Sequence, residues 1–186
     1  MEIKGLSVKT IPEFINEQFK DRYTEWFNAL PAGSQSIFGD LILTNKWYPI
    51  SDALISPIKT VAKVFYGGDE KTAAWYMGRQ SAEFALKGIY KIYVKIGNPL
   101  HIIDRASRIM AAYFNPSEIE VVKKEKSGII VHITLFPEPD IIVDYNIAGW
   151  IERALEISGC KNIKIEIPKS LALKNEVTEF KISWAL

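Results

Sequence analysis

Residues 98–105, NPLHIIDR, followed at 119–136 by IEVVKKEKSGIIVHITLF, decide the fold. Asn98-Pro99 opens a helix that runs to about Tyr113, since proline is tolerated in a first helical turn. Ile103, Ser107, Met110 and Phe114 form its inward face, and Asp104 and Arg108 pair on the outward one. Pro116 ends that region. Ile119–Lys124 and Ile129–Phe136 then alternate on either side of Ser127-Gly128, a hairpin signal. Asp140 caps a helix carrying Val143, Ile147, Trp150, Ile151 and Ala154, and Gly159 closes it. Ile163, Ile165 and Ile167 alternate with Lys164 and Glu166, and Phe180, Ile182 and Trp184 with Lys181 and Ser183. Both runs predict strands with one wet face. The expected fold is α+β in one domain: an N-terminal helical part (residues 1–115), then a ββαββ four-stranded antiparallel sheet (116–186).

Upstream, Glu2–Lys9 alternates weakly and reads as a short strand or an extended arm. Thr10-Ile-Pro-Glu13 is a capping box, and Ile11, Ile15, Phe19, Tyr23, Trp26 and Leu30 continue at helical spacing to about Ala29. Pro31–Asp40 reads as a loop and Asn45–Ser51 as irregular, because Tyr48 precedes a proline. Ser56-Pro57 caps a helix that ends at Tyr66-Gly67-Gly68. Asp69 caps the longest helix, expected through Lys95, with apolar residues on most of its circumference. Gly78, Ser81, Ala82, Ala85 and Gly88 are small residues along it; they let helices approach closely or leave room for a ligand, and close packing is the favoured reading.

Composition excludes several classes. Lys+Arg 23 against Asp+Glu 22 gives a net charge of +1, so no field favours nucleic acid or an anionic membrane. Charged residues interrupt every apolar stretch before the ~18 residues of a membrane span. MEIKGLSVKTIPEF has no apolar signal core, so the expected location is cytoplasmic. One cysteine, Cys160, rules out an internal disulfide and a cysteine-based zinc site, and it reads as a packing residue.

No nucleophile elbow, phosphate loop or metal-spaced cluster is present, so no enzyme is expected. Arg79 lies in the most apolar helix, beside Trp75, and either pairs with a carboxylate at the bundle edge or anchors an anionic ligand. His101, near a helix start, is a candidate iron ligand or a plain hydrogen-bonding residue. His132 lies mid-strand, on the face expected to hold Ile130, Thr134 and Phe136.

Leu100-His101-Ile-Ile-Asp-Arg, Asn115-Pro116-Ser and Ile147-Ala-Gly149-Trp-Ile, with the order of elements, resemble the haem-nitric-oxide/oxygen-binding (H-NOX) domain. The superfamily also holds the 4-vinyl-reductase ligand-binding domains and the small subunits of the TRAPP transport complex. Element order carries the resemblance over most of the chain, and the specific matches fall within residues 98–160. It implies a helical subdomain on a four-stranded sheet, with a ligand cavity between them in several relatives. It also implies that His101 occupies the proximal-ligand position of the haem-binding members. Those members clamp the haem propionates with a Tyr-x-Ser-x-Arg motif, where this chain reads His132-Ile-Thr134-Leu-Phe136. Phe136 cannot supply the bidentate contact of arginine. The cysteine clusters frequent in 4-vinyl-reductase relatives are missing as well.

The expected function is therefore a non-enzymatic small-molecule-binding or sensor-type domain without haem. Its apolar ligand would sit between the long helix and the sheet, with Trp75, Arg79, His101, His132 and Thr134 as candidate contacts. The alternatives are a haem-based gas sensor ligated by His101 and a homodimeric interaction module resembling the TRAPP subunits.

Overall fold

The computed structural model describes residues 1–87 and 98–185. β1 (Glu2–Lys4) runs into a single helical turn, α1 (Gly5–Val8). α2 (Thr10–Phe19) and α3 (Tyr23–Ala29) replace the one helix expected from the apolar stripe. The break falls at Lys20, whose φ of 47° lies outside the right-handed α-helical range and opens a 3-10 turn, Lys20–Arg22. α4 (Ala32–Phe38) occupies the expected loop. Its Gly and Ser content is a poor helix signal, but Phe38 packs edge-on to the buried Trp26 at 5.1 Å, and tertiary packing overrides propensity.

β2 (Trp47–Pro49) forms where irregular chain was expected, and pairs with β1. A π-helical turn, Ser51–Ile55, leads directly into α5 (Ser56–Phe65), so Ser56 is an interior residue rather than a cap. α6 (Glu70–Lys87) starts as expected, with Asp69 Oδ1 accepting from the Thr72 amide at 3.0 Å. The remainder of its expected span, including Gly88, lies outside the described residues.

α7 (Leu100–Ile103) and α8 (Ala106–Tyr113) divide the expected helix, and Ser107 is exposed rather than inward, donating to the Ile119 carbonyl. Asp104 accepts from Lys124 across that connection. β3 (Phe114–Asn115) joins β1 on the side opposite β2, closing a small three-stranded sheet.

The second half follows its sequence pattern closely. β4 (Glu118–Glu125) and β5 (Gly128–Leu135) make the hairpin. α9 (Ile141–Ile157) is capped by Asp140, whose Oδ1 accepts from the Ile142 amide, and ends at Gly159 with φ 97°. β6 (Lys161–Lys169) and β7 (Thr178–Ala185) complete an antiparallel sheet of order β4-β5-β7-β6. The chain is thus α+β, as its pattern predicts. Ile129, Val131 and Ile133 of β5 and Phe180, Ile182 and Trp184 of β7 are buried on one face. Both edge strands, β4 and β6, carry exposed lysines and register shifts, which discourage pairing with a further strand.

α9 covers the inner face of the sheet and runs beside α6 in the same direction. Asn146 donates to the Ala74 carbonyl near one end, and Arg153 donates to Glu83 near the other. Two glycines set the separation. A Cβ on Gly78 would lie 1.9 Å from the Asn146 carbonyl oxygen, and one on Gly149 would lie 2.1 Å from that of Trp75. Only glycine permits such an approach. Among the described residues no helix is long and apolar enough to cross a membrane.

Candidate functional site

A cavity of about 90 Å³ lies where α8 and α9 meet the inner face of the sheet. α8 turns Ile109, Met110 and Tyr113 inward, as its helical periodicity requires. α9 contributes Ile147, Ile151 and Leu155, and the sheet closes the far wall with Ile129, Val131 and Ile182. Among the described lining residues, Ser7, Ser81, Asn146, Trp150 and Tyr113 carry polar groups. The Trp150 indole stands edge-on to the Tyr113 ring at 6.0 Å. No Lys, Arg, His, Asp or Glu is among the described lining residues. The volume exceeds the ~10–15 Å³ that a single water occupies. It falls below the ~300 Å³ at which pockets for drug-sized ligands begin. A compact molecule of few heavy atoms fits.

The five residues singled out from sequence do not converge on this cavity. Trp75 Nε1 donates to Glu152 at 2.8 Å. Arg79 pairs with the same Glu152 and, at 2.8 Å, with Glu156, so its charge is matched twice within the fold. Arg153 extends the network by donating to Glu83 and Glu156, and holds the Glu83 carboxyl below the ordinary carboxylate range. Arg79 is thus a strut between α6 and α9. His132 Nε2 meets Glu179 at 2.7 Å across the β5–β7 ladder, on the face away from the helices. The Glu179 carboxyl is lowered by that contact. Thr134 is exposed on the same face. Phe136 does not share it, contrary to expectation. It follows the end of β5, turns inward and packs edge-on to Phe114 at 5.4 Å.

His101 alone stands beside the cavity. It is half-buried in α7, one residue ahead of Ile102 and Ile103, which line the cavity. Its carbonyl accepts from Arg105 at 2.6 Å, at the break between α7 and α8. The second anchor that haem requires in the family pattern does not form. His132 is committed to Glu179, Thr134 faces outward, and Phe136 is embedded in an aromatic contact. A propionate at this position would meet apolar rings, at the cost of an unpaired buried charge. The residues present do not fit a haem clamp. Among the described residues no group of three or more His, Cys, Asp or Glu side chains is placed to hold a metal ion.

A second buried polar group lies away from the cavity. Asp144 on α9 accepts from Ser170 at 2.5 Å and from Thr178 at 3.3 Å, pinning the β6–β7 connection to the helix. Burial pushes its carboxyl up to about 6, against the lowering effect of those two hydroxyls. The Cys160 thiol is buried and raised by desolvation, as a packing residue would be.

The cavity walls were legible as apolar faces: Met110 and Phe114 on one helix, and Ile147, Trp150 and Ile151 on the other. The sequence carries no signal that these faces stop short of full contact.

No family model matches the chain, and no curated protein matches it. Solved structures do. An H-NOX protein from S. oneidensis in the Fe(II)NO ligation state aligns with a TM-score of 0.77 and 12% identity, covering 99% of this chain and 100% of that one. The Fe(II) unliganded H-NOX protein from K. algicida gives 0.74 and 8%, covering 99% and 97%. A variant of the T. tengcongensis H-NOX gives 0.65 and 11%, covering 99% and 98%. At such identities the likeness is one of architecture, and in architecture this chain has an H-NOX-like fold.

Proposed function

We propose that the chain is a non-enzymatic, sensor-type domain that takes a compact apolar molecule into the cavity between α8, α9 and the sheet, without haem. One observation carries the reading: the cavity is walled by apolar side chains, with no charged group among its described lining. Removing apolar surface from water drives such binding at roughly 25 cal/mol per Å². The fold is shared with proteins whose structures carry Fe(II), but the clamp positions of this chain are filled by a histidine hydrogen-bonded to a carboxylate, an exposed threonine and a packed phenylalanine.

Benzene is a suitable probe, followed by thermal unfolding. The melting temperature of the wild-type chain rises with benzene concentration and saturates, as expected for a ligand that binds only the folded state. Ala154→Phe, which fills the cavity, removes that rise. Absence of a benzene-dependent rise in the wild type would overturn the reading.

A second reading is favoured by the place of His101, directly before two residues that line the cavity. It is a haem sensor with His101 as axial ligand. Haem titration separates the two. The primary reading predicts no Soret band that depends on His101, whereas a sharp band lost in His101→Ala establishes the alternative.

A further inference from the structure

Four buried side-chain polar atoms among the described residues have no hydrogen-bond partner, and two of them, Ser81 Oγ and Trp150 Nε1, belong to residues lining the cavity. Buried donors left unpaired are rare in folded proteins, because each forfeits its hydration without a substitute. The two lie on facing helices. Trp150 adjoins Gly149, and its backbone nitrogen would lie 3.0 Å from a Cβ on Gly78, one helical turn before Ser81. Asn146, the other polar group on this side, already donates to the Ala74 carbonyl.

We propose that the cavity selects a compact, neutral apolar molecule bearing a single carbonyl oxygen, which accepts from the Trp150 indole N–H and the Ser81 hydroxyl. The inference deepens the cavity reading above and rests on it. A carbonyl oxygen offers two lone pairs and no proton, which matches two donors. An anion is disfavoured, because no cation is among the described lining residues to offset its desolvation. A purely apolar molecule fills the same space but leaves both donors unpaired. Most of the remaining described wall, including Met110, Ile129, Val131, Ile147 and Ile182, offers contact only to hydrocarbon.

Cyclopentanone and cyclopentane are a matched pair that differs by that oxygen. Their dissociation constants are measured by NMR titration on the wild-type chain, Ser81→Ala and Trp150→Phe. The expected result is that the wild type binds both. Each substitution then weakens cyclopentanone by about 3- to 10-fold, the loss of one neutral hydrogen bond, and changes cyclopentane less than about twofold. If both substitutions affect the two ligands equally, or if only cyclopentane binds, the carbonyl inference fails and the apolar cavity stands. If neither ligand binds the wild type, both fail. Ser81→Ala removes only one oxygen, so it supplies the comparison if Trp150→Phe perturbs folding.

Discussion

Gly78→Ala tests the packing that frames the cavity. Alanine in an exposed helix interior is favoured over glycine by about 1 kcal/mol, so without tertiary contact the substitution would stabilise the protein. At this position the new methyl lies 1.9 Å from the Asn146 carbonyl oxygen, about 1.5 Å short of the 3.4 Å at which ordinary contact begins. Helix backbone cannot rotate out of the way as a side-chain tip can, so α6 and α9 must separate. A gap of ~0.5–1 Å forfeits a quarter to a half of the dispersion energy across the affected contacts. Overpacking of this kind costs roughly 1–3 kcal/mol, and here it must also cancel the propensity gain. We expect a net loss of about 1 kcal/mol, which for a chain of this length lowers the melting temperature by roughly 2–4 °C. Circular dichroism at 222 nm measures it. Gly149→Ala, whose methyl would meet the Trp75 carbonyl at 2.1 Å, gives a similar fall. The double variant falls by less than the sum, because one separation relieves both clashes. An unchanged or raised melting temperature for Gly78→Ala would refute the close approach of the two helices.

Other outcomes follow from single groups. Asp144 titrates near 6 in the folded chain against 3.8 ordinarily, so between these values the folded state holds more protons and Asp144's contribution to stability falls as pH rises. Asp144→Asn therefore gains on the wild type by about 3 kcal/mol from pH 3.5 to 7.5 in urea unfolding, and parallel pH profiles would contradict this. Arg79→Met removes the cation shared by Glu152 and Glu156, leaving Glu152 with the Trp75 indole and Glu156 with Arg153, and lowers stability by about 1 kcal/mol after solvent screening. Benzene binding by the folded variant stays unchanged; a loss would make Arg79 a ligand contact after all. Ser81→Ala removes an unpartnered hydroxyl and improves helix propensity, raising ligand-free stability by about 1 kcal/mol. A fall in its melting temperature would show that the hydroxyl is already satisfied.

The second half of the fold was legible because each element carries its own period and punctuation. Ser127-Gly128, Asp140 and Gly159 mark the boundaries, and inward residues alternate along β5 and β7. The N-terminal part was less legible, because long-range packing decides it. α4 forms against Trp26 despite poor propensity, and Lys20 breaks a stripe that sequence alone continues. The candidate site divides along the same line. Chemical rarity drew attention to Arg79 and His132, but carboxylates inside the fold engage both, Arg79 as an ion pair and His132 through a hydrogen bond. The cavity, by contrast, is made of ordinary apolar residues, and a void between packed faces leaves no mark in sequence. Phe136 is the informative exception, since a single residue type bore on the clamp and the structure places it in an aromatic contact.

The most direct test is a methyl NMR titration of isoleucine-labelled protein with cyclopentane. The account predicts saturable shifts at Ile102, Ile109, Ile129, Ile147 and Ile182, which line the cavity, and none at Ile58 in α5, which is outside its lining. Unshifted cavity methyls at ligand saturation, or shifts of equal size at Ile58, would contradict it.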